Sequence, residues 1–137
     1  MGWGPDRADP PARNAADATE AFALDPRALA TLRALDRGAG GVLREILELF
    51  VDDGYGLVLR IEEAVAARNP RRLRACARQL AGSAAHLGAA DLVAVCLEIE
   101  RFGARDQATA AAGTMDDLRK AFELVEAEVH DLLAEGH

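Results

Sequence analysis

The sequence predicts an all-α fold: an antiparallel up-down four-helix bundle with a short N-terminal capping helix. Three observations lead to this prediction. Half of the residues are hydrophobic but only 4% are aromatic, so alanine, leucine and valine dominate, and they favour closely packed helices over a sheet. Apolar residues recur at helical spacing in five segments, and no segment alternates like a strand. The connections are short, which makes neighbouring helices antiparallel.

The first helix is predicted to be short and to follow a flexible leader. Residues 1–23 hold several prolines and show no apolar periodicity, as expected for such a leader. The helix begins at Asp25-Pro26, because aspartate is a favoured N-cap and proline fits the first helical position. Leucines at three-residue spacing continue the helix until Gly38, and a glycine pair then separates it from the next helix.

The second predicted helix is the long one. It begins near Val42 and keeps helical apolar spacing for about six turns. Gly54 and Gly56 interrupt the pattern and indicate either a bend or a close contact with another helix. Asn69-Pro70 ends this helix, because the residue before a proline is pushed out of the helical region, and Pro70 can open the next helix.

The third and fourth helices follow without a long connection. The third is expected to end at Gly88 and the fourth near Gly103, since glycine favours the backbone conformation that ends a helix. Residues 104–113 are rich in alanine and weakly patterned, so they suit either a loop or a helix start. The inner stripe of the third helix is formed by Leu73, Ala77, Leu80, Ala84 and Leu87.

The last helix is predicted to start at a capping box. Thr114 and Asp117 have the spacing of that motif, with aspartate in place of the usual glutamate or glutamine. The helical bundle is therefore expected to span residues 24–133, with residues 134–137 as a tail.

Composition and charge exclude several classes of function. The net charge is −7, and nucleic-acid binding without sequence preference needs positive charge to displace counterions. Cys76 and Cys96 lack metal-site spacing, so we expect buried, reduced thiols, no metal and no cofactor. The sequence shows neither a run long enough to cross a membrane nor a secretory signal, so a cytoplasmic protein without a membrane partner is expected. A monomer is favoured over a dimer.

The outer side of the third helix carries basic side chains in its first half. Its second half is bare, which means that its residues have almost no side chain. A glycine inside an exposed helix costs about 1 kcal/mol relative to alanine. Close approach by another molecule would explain Gly82, and simple tolerance is the alternative explanation. The basic half contains Arg68, Arg71, Arg72, Arg74 and Arg78. The bare half contains Ala81, Gly82 and Ala85.

These residues carry a resemblance to a known family. Residues 77–89, ARQLAGSAAHLGA, resemble the signature A-H-x-L-K-G-S-S-x-x-L-G-A of histidine-phosphotransfer (HPt) domains. The likeness continues through Leu92, Cys96 and Leu97-Glu98 of the next helix, and with the helix order it covers about residues 24–133. The resemblance implies a phosphorelay module whose partners are a response-regulator receiver domain or a histidine kinase.

Two departures from the family pattern concern the chemistry. The resemblance implies a phosphate-accepting histidine at the position of Arg78 and a lysine at the position of Ala81. Guanidinium stays protonated at ordinary pH and is a poor nucleophile, so Arg78 is not expected to accept phosphate. Gly82, which makes room for the partner in the family, is retained. The pattern indicates that the ability to accept phosphate is lost and that the docking surface is retained.

The role of Arg78, at the centre of the predicted docking surface, has two possible interpretations. Arg78 could pair with receiver carboxylates or phosphate in a bidentate manner, or it could be an ordinary solvated arginine. The surface is predicted to contain Arg71, Arg74, Arg78, Ala81, Gly82 and Ala85.

Three functions remain possible at this point. The first is a docking module that binds a receiver or kinase without accepting phosphate. The second is an active phosphotransfer protein that uses His86, although His86 lies eight residues beyond Arg78 and is rotated away from it. The third is a structural or dimeric helical bundle unrelated to phosphorelay, since a fold does not specify a function.

Overall fold

The computed structural model describes residues 23–39 and 42–135, and within these ranges it contains helices and no strand. The all-α prediction is confirmed. The helices are α1 (Pro26–Ala39), α2 (Val42–Ala66), α3 (Pro70–His86), α4 (Ala90–Ala104) and α5 (Met115–Glu135), with a 3-10 helix at Ala108–Thr114 between α4 and α5.

Helices α2 to α5 form the bundle, in which α2 packs against α3 and α5, and α4 packs against the same two helices. Two long-range contacts give the direction of α5 relative to α2. Near the start of α2, Arg44 Nη2 donates to the carbonyl of Leu133, at 3.1 Å. Near its end, Glu62 binds Arg119 at 2.6 Å and 2.7 Å. The later residue of α2 meets the earlier residue of α5, so these two helices are antiparallel, as predicted.

An ion pair between Glu62 and Arg119 reinforces the α2–α5 contact. Both carboxylate oxygens of Glu62 accept hydrogen bonds from the guanidinium of Arg119, which also lies over the Tyr55 ring, 5.9 Å from its centroid. The hydrogen bonds that Arg119 donates to Glu62 raise the pKa of Arg119 above its usual range. Arg119 therefore remains charged and joins the two helices.

Helix α1 covers one end of the bundle. The predicted cap is confirmed: Asp25 Oδ1 accepts a hydrogen bond from Arg27 N at 2.9 Å. The backbone N–H of Asp25 donates to the carbonyl of Gly88, at 3.0 Å, which attaches α1 to the α3–α4 connection. Gly88 has φ +68°, and a Cβ there would collide with Asp25 Cβ. Only glycine suits this position without strain.

The described part of the chain begins at Ala23, the last residue of the predicted leader. Ala23 N and Leu24 N donate to the two carboxylate oxygens of Glu128, at 2.6 Å and 2.9 Å. At the other terminus, α5 continues to Glu135, inside the predicted tail. The rest of the predicted leader, the glycine pair after α1 and the last two residues lie outside the described residues.

The two glycines of α2 differ in their surroundings. A Cβ on Gly54 would lie 2.7 Å from Phe122 Cε1, so the prediction of a close helix contact is confirmed there. Phe122 also stacks on Phe50, with ring centroids 6.1 Å apart. At Gly56 the close-contact alternative is wrong, because a Cβ there would meet nothing within 4 Å. Gly54 thus belongs to the core, whereas Gly56 is half-buried with open space in the direction of a Cβ.

The connection between α4 and α5 combines the two predicted alternatives. It leaves α4 as a loop and then forms the 3-10 helix. The buried hydroxyl of Thr114, which was predicted to cap the last helix, donates to the Ala111 carbonyl at 2.7 Å and closes this 3-10 helix.

Both cysteines are buried and free, as predicted. Burial raises the pKa of the Cys96 thiol to about 12. The thiol therefore stays protonated at neutral pH and packs as a small apolar group. Within the part of the chain that the structure describes, no helix is both long and apolar enough to cross a membrane.

Candidate docking face

The orientation of α3 is set by its cap and its buried stripe. Asn69 caps the helix, because its side chain accepts a hydrogen bond from Arg72 N at 3.1 Å, and Pro70 occupies the first helical position. The predicted inner stripe is confirmed, since each of its members is at most 1% exposed: Leu73, Ala77, Leu80, Ala84 and Leu87. The opposite side of α3 must therefore face outward.

The arginines of the outward side are exposed and largely unpaired. Arg72 lies 3.9 Å from Glu63 of α2, and both side chains are more than half exposed. Within the described ranges, Arg71, Arg74 and Arg78 form no ion pair and no side-chain hydrogen bond. The structure thus leaves these three guanidinium groups available to another molecule.

The bare half of the predicted surface is present, with one correction. Gly82 and Ala85 are exposed, and a Cβ on Gly82 would meet nothing within 4 Å. Internal packing therefore does not require glycine at position 82. Ala81 is only 6% exposed, so its predicted place on the outer surface is wrong.

Helix α4 explains the burial of Ala81. Ala81 lies two turns after Arg74 on the same edge of α3. That edge faces α4, because a Cβ on Gly103 would lie 2.9 Å from Arg74 Cβ and 2.8 Å from the Pro70 carbonyl oxygen. The methyl group of Ala81 therefore belongs to the α3–α4 contact, whereas the longer side chain of Arg74 reaches solvent.

A second open glycine lies on the neighbouring helix. The Arg72–Glu63 contact places the end of α2 beside the start of α3. Gly56 lies seven residues before Glu63, and Gln79 lies seven residues after Arg72. Gly56 is therefore at the level of Gln79, on the side of α3 that faces α2. Sequence reasoning missed Gly56 as part of this surface, because its spacing does not distinguish it from the buried Gly54.

His86 is not brought together with Arg78. It is exposed and is the last residue of α3. Eight residues of helix separate the two side chains by roughly 12 Å along the axis. His86 thus lies at the opposite end of the bare surface from the arginines. Among the described residues, no group of three or more histidine, cysteine, aspartate or glutamate side chains could hold a metal ion.

Chemically, this surface suits the recognition of an anion on a protein partner. Guanidinium forms bidentate hydrogen bonds with carboxylate or phosphate, and the open surface at Gly82 lets a partner approach the helix closely. We call the exposed surface formed by these residues the docking face: Arg71, Arg74, Arg78, Gly82 and Ala85, with Gly56 beside them.

Comparison with known proteins identifies the family. The model of the Hpt domain matches residues 45–135. The chain belongs to the Hpt domain family. This Hpt domain is accordingly a module of phosphorelay signalling. No curated protein matches it significantly.

Two solved structures share the fold of this Hpt domain. Histidine-containing phosphotransfer protein B from Pseudomonas aeruginosa PAO1 is 23% identical, with a TM-score of 0.71 over 79% of this chain and 91% of its own. A rice protein assigned as a histidine-containing phosphotransfer protein is 20% identical, with a TM-score of 0.75 over 87% of this chain and 85% of its own. At such identities the likeness supports the fold alone.

Proposed function

We propose that this Hpt domain is a docking module that binds a response-regulator receiver domain, or a histidine kinase, without itself accepting phosphate. One observation carries the proposal. An exposed and unpaired arginine, Arg78, lies one turn before Gly82, where the surface of α3 is open. This is an arrangement for binding an anion on a partner and lacks a nucleophile at the same place.

The chemistry of Arg78 argues against phosphate transfer through it. A phosphoryl acceptor needs a free electron pair, which neutral imidazole provides. The guanidinium group remains protonated across the physiological pH range and offers only N–H donors. Ala81, at the position where the family resemblance implies a lysine, provides a buried methyl group and no positive charge. Neither group that would handle a phosphoryl group in the family is therefore supplied here.

The same properties make Arg78 a suitable ligand for a receiver's phosphorylation site. In our proposal, that site presents carboxylates, or a phosphorylated aspartate, to the docking face. Arg78 then donates two parallel hydrogen bonds to the anion, and Gly82 allows the partner's backbone to approach α3. Such a module would compete with an active phosphotransfer protein, sequester the regulator or sense its phosphorylation.

The test is a binding measurement with a charge-reversed variant. Purified wild-type and Arg78→Glu proteins are titrated with a panel of receiver domains from the source organism, each with and without a beryllofluoride mimic of phosphorylation. Arg78→Glu should weaken binding at least thirtyfold, which corresponds to the roughly 2 kcal/mol or more typical of a disrupted charge pair in an interface. Arg27→Glu, an exposed change on α1, is the control and should bind like the wild type. Equal affinities for wild type and Arg78→Glu would refute the role of Arg78.

A further inference from the structure

An apolar groove of about 340 Å³ lies between α4 and α5. Leu92 of α4 and Ala121 and Val125 of α5 line this groove and are buried, so they form its floor. Leu124 of α5 lies at its edge and is 60% exposed. The volume is at the lower end of the range for ligand pockets, so the groove suits one large apolar side chain.

Leu124 and the groove form one continuous apolar surface. A single leucine on a protein surface is ordinary, but an exposed leucine that borders an apolar groove marks a contact site. The described residues leave more than half of the Leu124 surface uncovered. A side chain that filled the groove would remove Leu124 and the groove floor from water together, and such apolar burial stabilises a fold.

The chain reaches this groove at Ala23. The backbone N–H of Asp25 is bound to the Gly88 carbonyl at the α3–α4 connection. The N–H groups of the two preceding residues are bound to Glu128, one turn beyond Leu124 on α5. Ala23 itself lines the groove. Followed backward from Asp25, the chain therefore leaves the end of the bundle and arrives at the groove.

We propose that the ring of Phe22 fills this groove and holds the segment before Ala23 against α4 and α5. Consecutive Cα atoms are about 3.8 Å apart, so the Phe22 backbone must lie beside a residue of the groove wall. Of the residues before Ala23, only Met1, Trp3 and Phe22 have large apolar side chains. Phe22 reaches the groove directly, whereas Trp3 would have to order a long intervening segment at a cost in backbone entropy.

A segment of the same chain fits the groove better than a second copy of the protein does. Each copy has a net charge of −7, so two copies repel each other. Phe22 is tethered beside the groove, and its docking is therefore independent of protein concentration. Helix α5 packs against α2 and α4, whereas the docking face lies on α3. The inference is thus independent of the proposed function.

The first experiment moves the single tryptophan of the chain into the proposed contact. The full-length variant Trp3→Phe/Phe22→Trp carries its only indole at position 22. The groove shields that indole from water, so its fluorescence emission should be blue-shifted relative to the urea-unfolded variant. Acrylamide should quench it at least threefold less efficiently than in urea. Emission and quenching equal to those of the unfolded variant would overturn the proposal.

Two exposed leucines provide the matched comparison. Leu124→Glu, added to this variant, places a carboxylate at the groove, where losing its hydration is costly. Emission should shift toward that of the unfolded variant, and quenching should at least double. Leu97→Glu is the control and should change neither value, because Leu97 is 42% exposed on α4 and does not line the groove. Shielding that persists in Leu124→Glu would overturn the proposal, because the indole would then pack elsewhere.

Dilution distinguishes the leader segment from a second copy. Shielding of the indole should be the same across a hundredfold range of protein concentration. Shielding that disappears on dilution, together with a dimer that Leu124→Glu dissociates, would overturn the proposal in favour of a second copy.

The second experiment keeps the native tryptophan and measures stability. Phe22→Ala should lower the Tm of the full-length protein by roughly 5 °C, because the contact of an aromatic ring is removed. The loss should at least halve in a Leu124→Glu background and remain complete in a Leu97→Glu background. Equal losses in the two backgrounds would contradict packing of Phe22 against Leu124. Receiver binding by Phe22→Ala should match that of wild type, so failure of the docking function would leave this result unaffected.

Discussion

Substitutions of Gly82 should affect the stability of this Hpt domain and its binding to a receiver domain independently. Gly82 lies inside α3 with a helical backbone, and a Cβ added there would meet nothing within 4 Å. Alanine loses less conformational freedom than glycine when a helix forms, by about 1 kcal/mol. The structure contains no contact that would offset this gain. Gly82→Ala should therefore stabilise the folded protein by about 1 kcal/mol.

The expected gain is large enough to measure. For a domain of this size, about 1 kcal/mol corresponds to a rise in Tm of roughly 3–6 °C. Urea unfolding should show a higher midpoint with an unchanged slope, because the surface exposed on unfolding hardly changes. A loss of stability in Gly82→Ala would refute the conclusion that this position is open and is not constrained by packing.

The binding half of the prediction uses a larger side chain. Gly82→Leu should remain folded, since its side chain points into open space, but it should obstruct a partner on the docking face and weaken receiver binding at least tenfold. Gly113→Leu is the matched control, because a Cβ there also meets nothing within 4 Å and the position lies outside the docking face. Receiver binding by Gly82→Leu equal to that of the control would contradict the placement of the docking face.

Three further predictions concern the fold. Gly54→Ala should destabilise the protein by about 1–3 kcal/mol in urea unfolding, because its Cβ would lie 2.7 Å from the Phe122 ring; a gain in stability would contradict this contact. Asp25→Ala should cost about 1 kcal/mol by removing the cap of α1, and Asp25→Asn should retain most of the stability. The pKa of Cys96 is raised from 9.0 to about 12, so the unfolded chain loses this proton first as pH rises. Stability should therefore fall above pH 9.0 by up to about 1.4 kcal/mol per pH unit, and a Cys96→Ala variant with the same slope would refute this explanation.

The features of the fold that depend on local chemistry could be predicted from the sequence. The cap at Asp25, the proline start of α3 and its buried stripe all follow from residues close together in the chain. Exposure of Arg78 and Gly82 follows from the same helical periodicity. These predictions succeed because helix geometry relates position in the sequence directly to position on a surface.

The features that depend on a neighbouring helix could not be predicted in this way. Ala81 is buried because its edge of α3 faces α4, and periodicity within α3 does not report which edge is covered. Gly54 and Gly56 look alike in the sequence, yet one contacts Phe122 and the other is open. The contact of Gly103 with Pro70 and Arg74 joins α3 and α4, and its partners are distant in the chain. Each of these cases requires the packing of the bundle.

The most direct test of docking without phosphate transfer follows phosphate and binding in one mixture. Wild-type protein is added to a receiver domain phosphorylated with radioactive label, and label transfer and complex formation are measured together. We expect a complex in which the label remains on the receiver, and Arg78→Glu should abolish that complex. Acid-labile phosphate on this Hpt domain, lost in His86→Ala, would contradict the proposed function, because the chain would then be an active phosphotransfer protein.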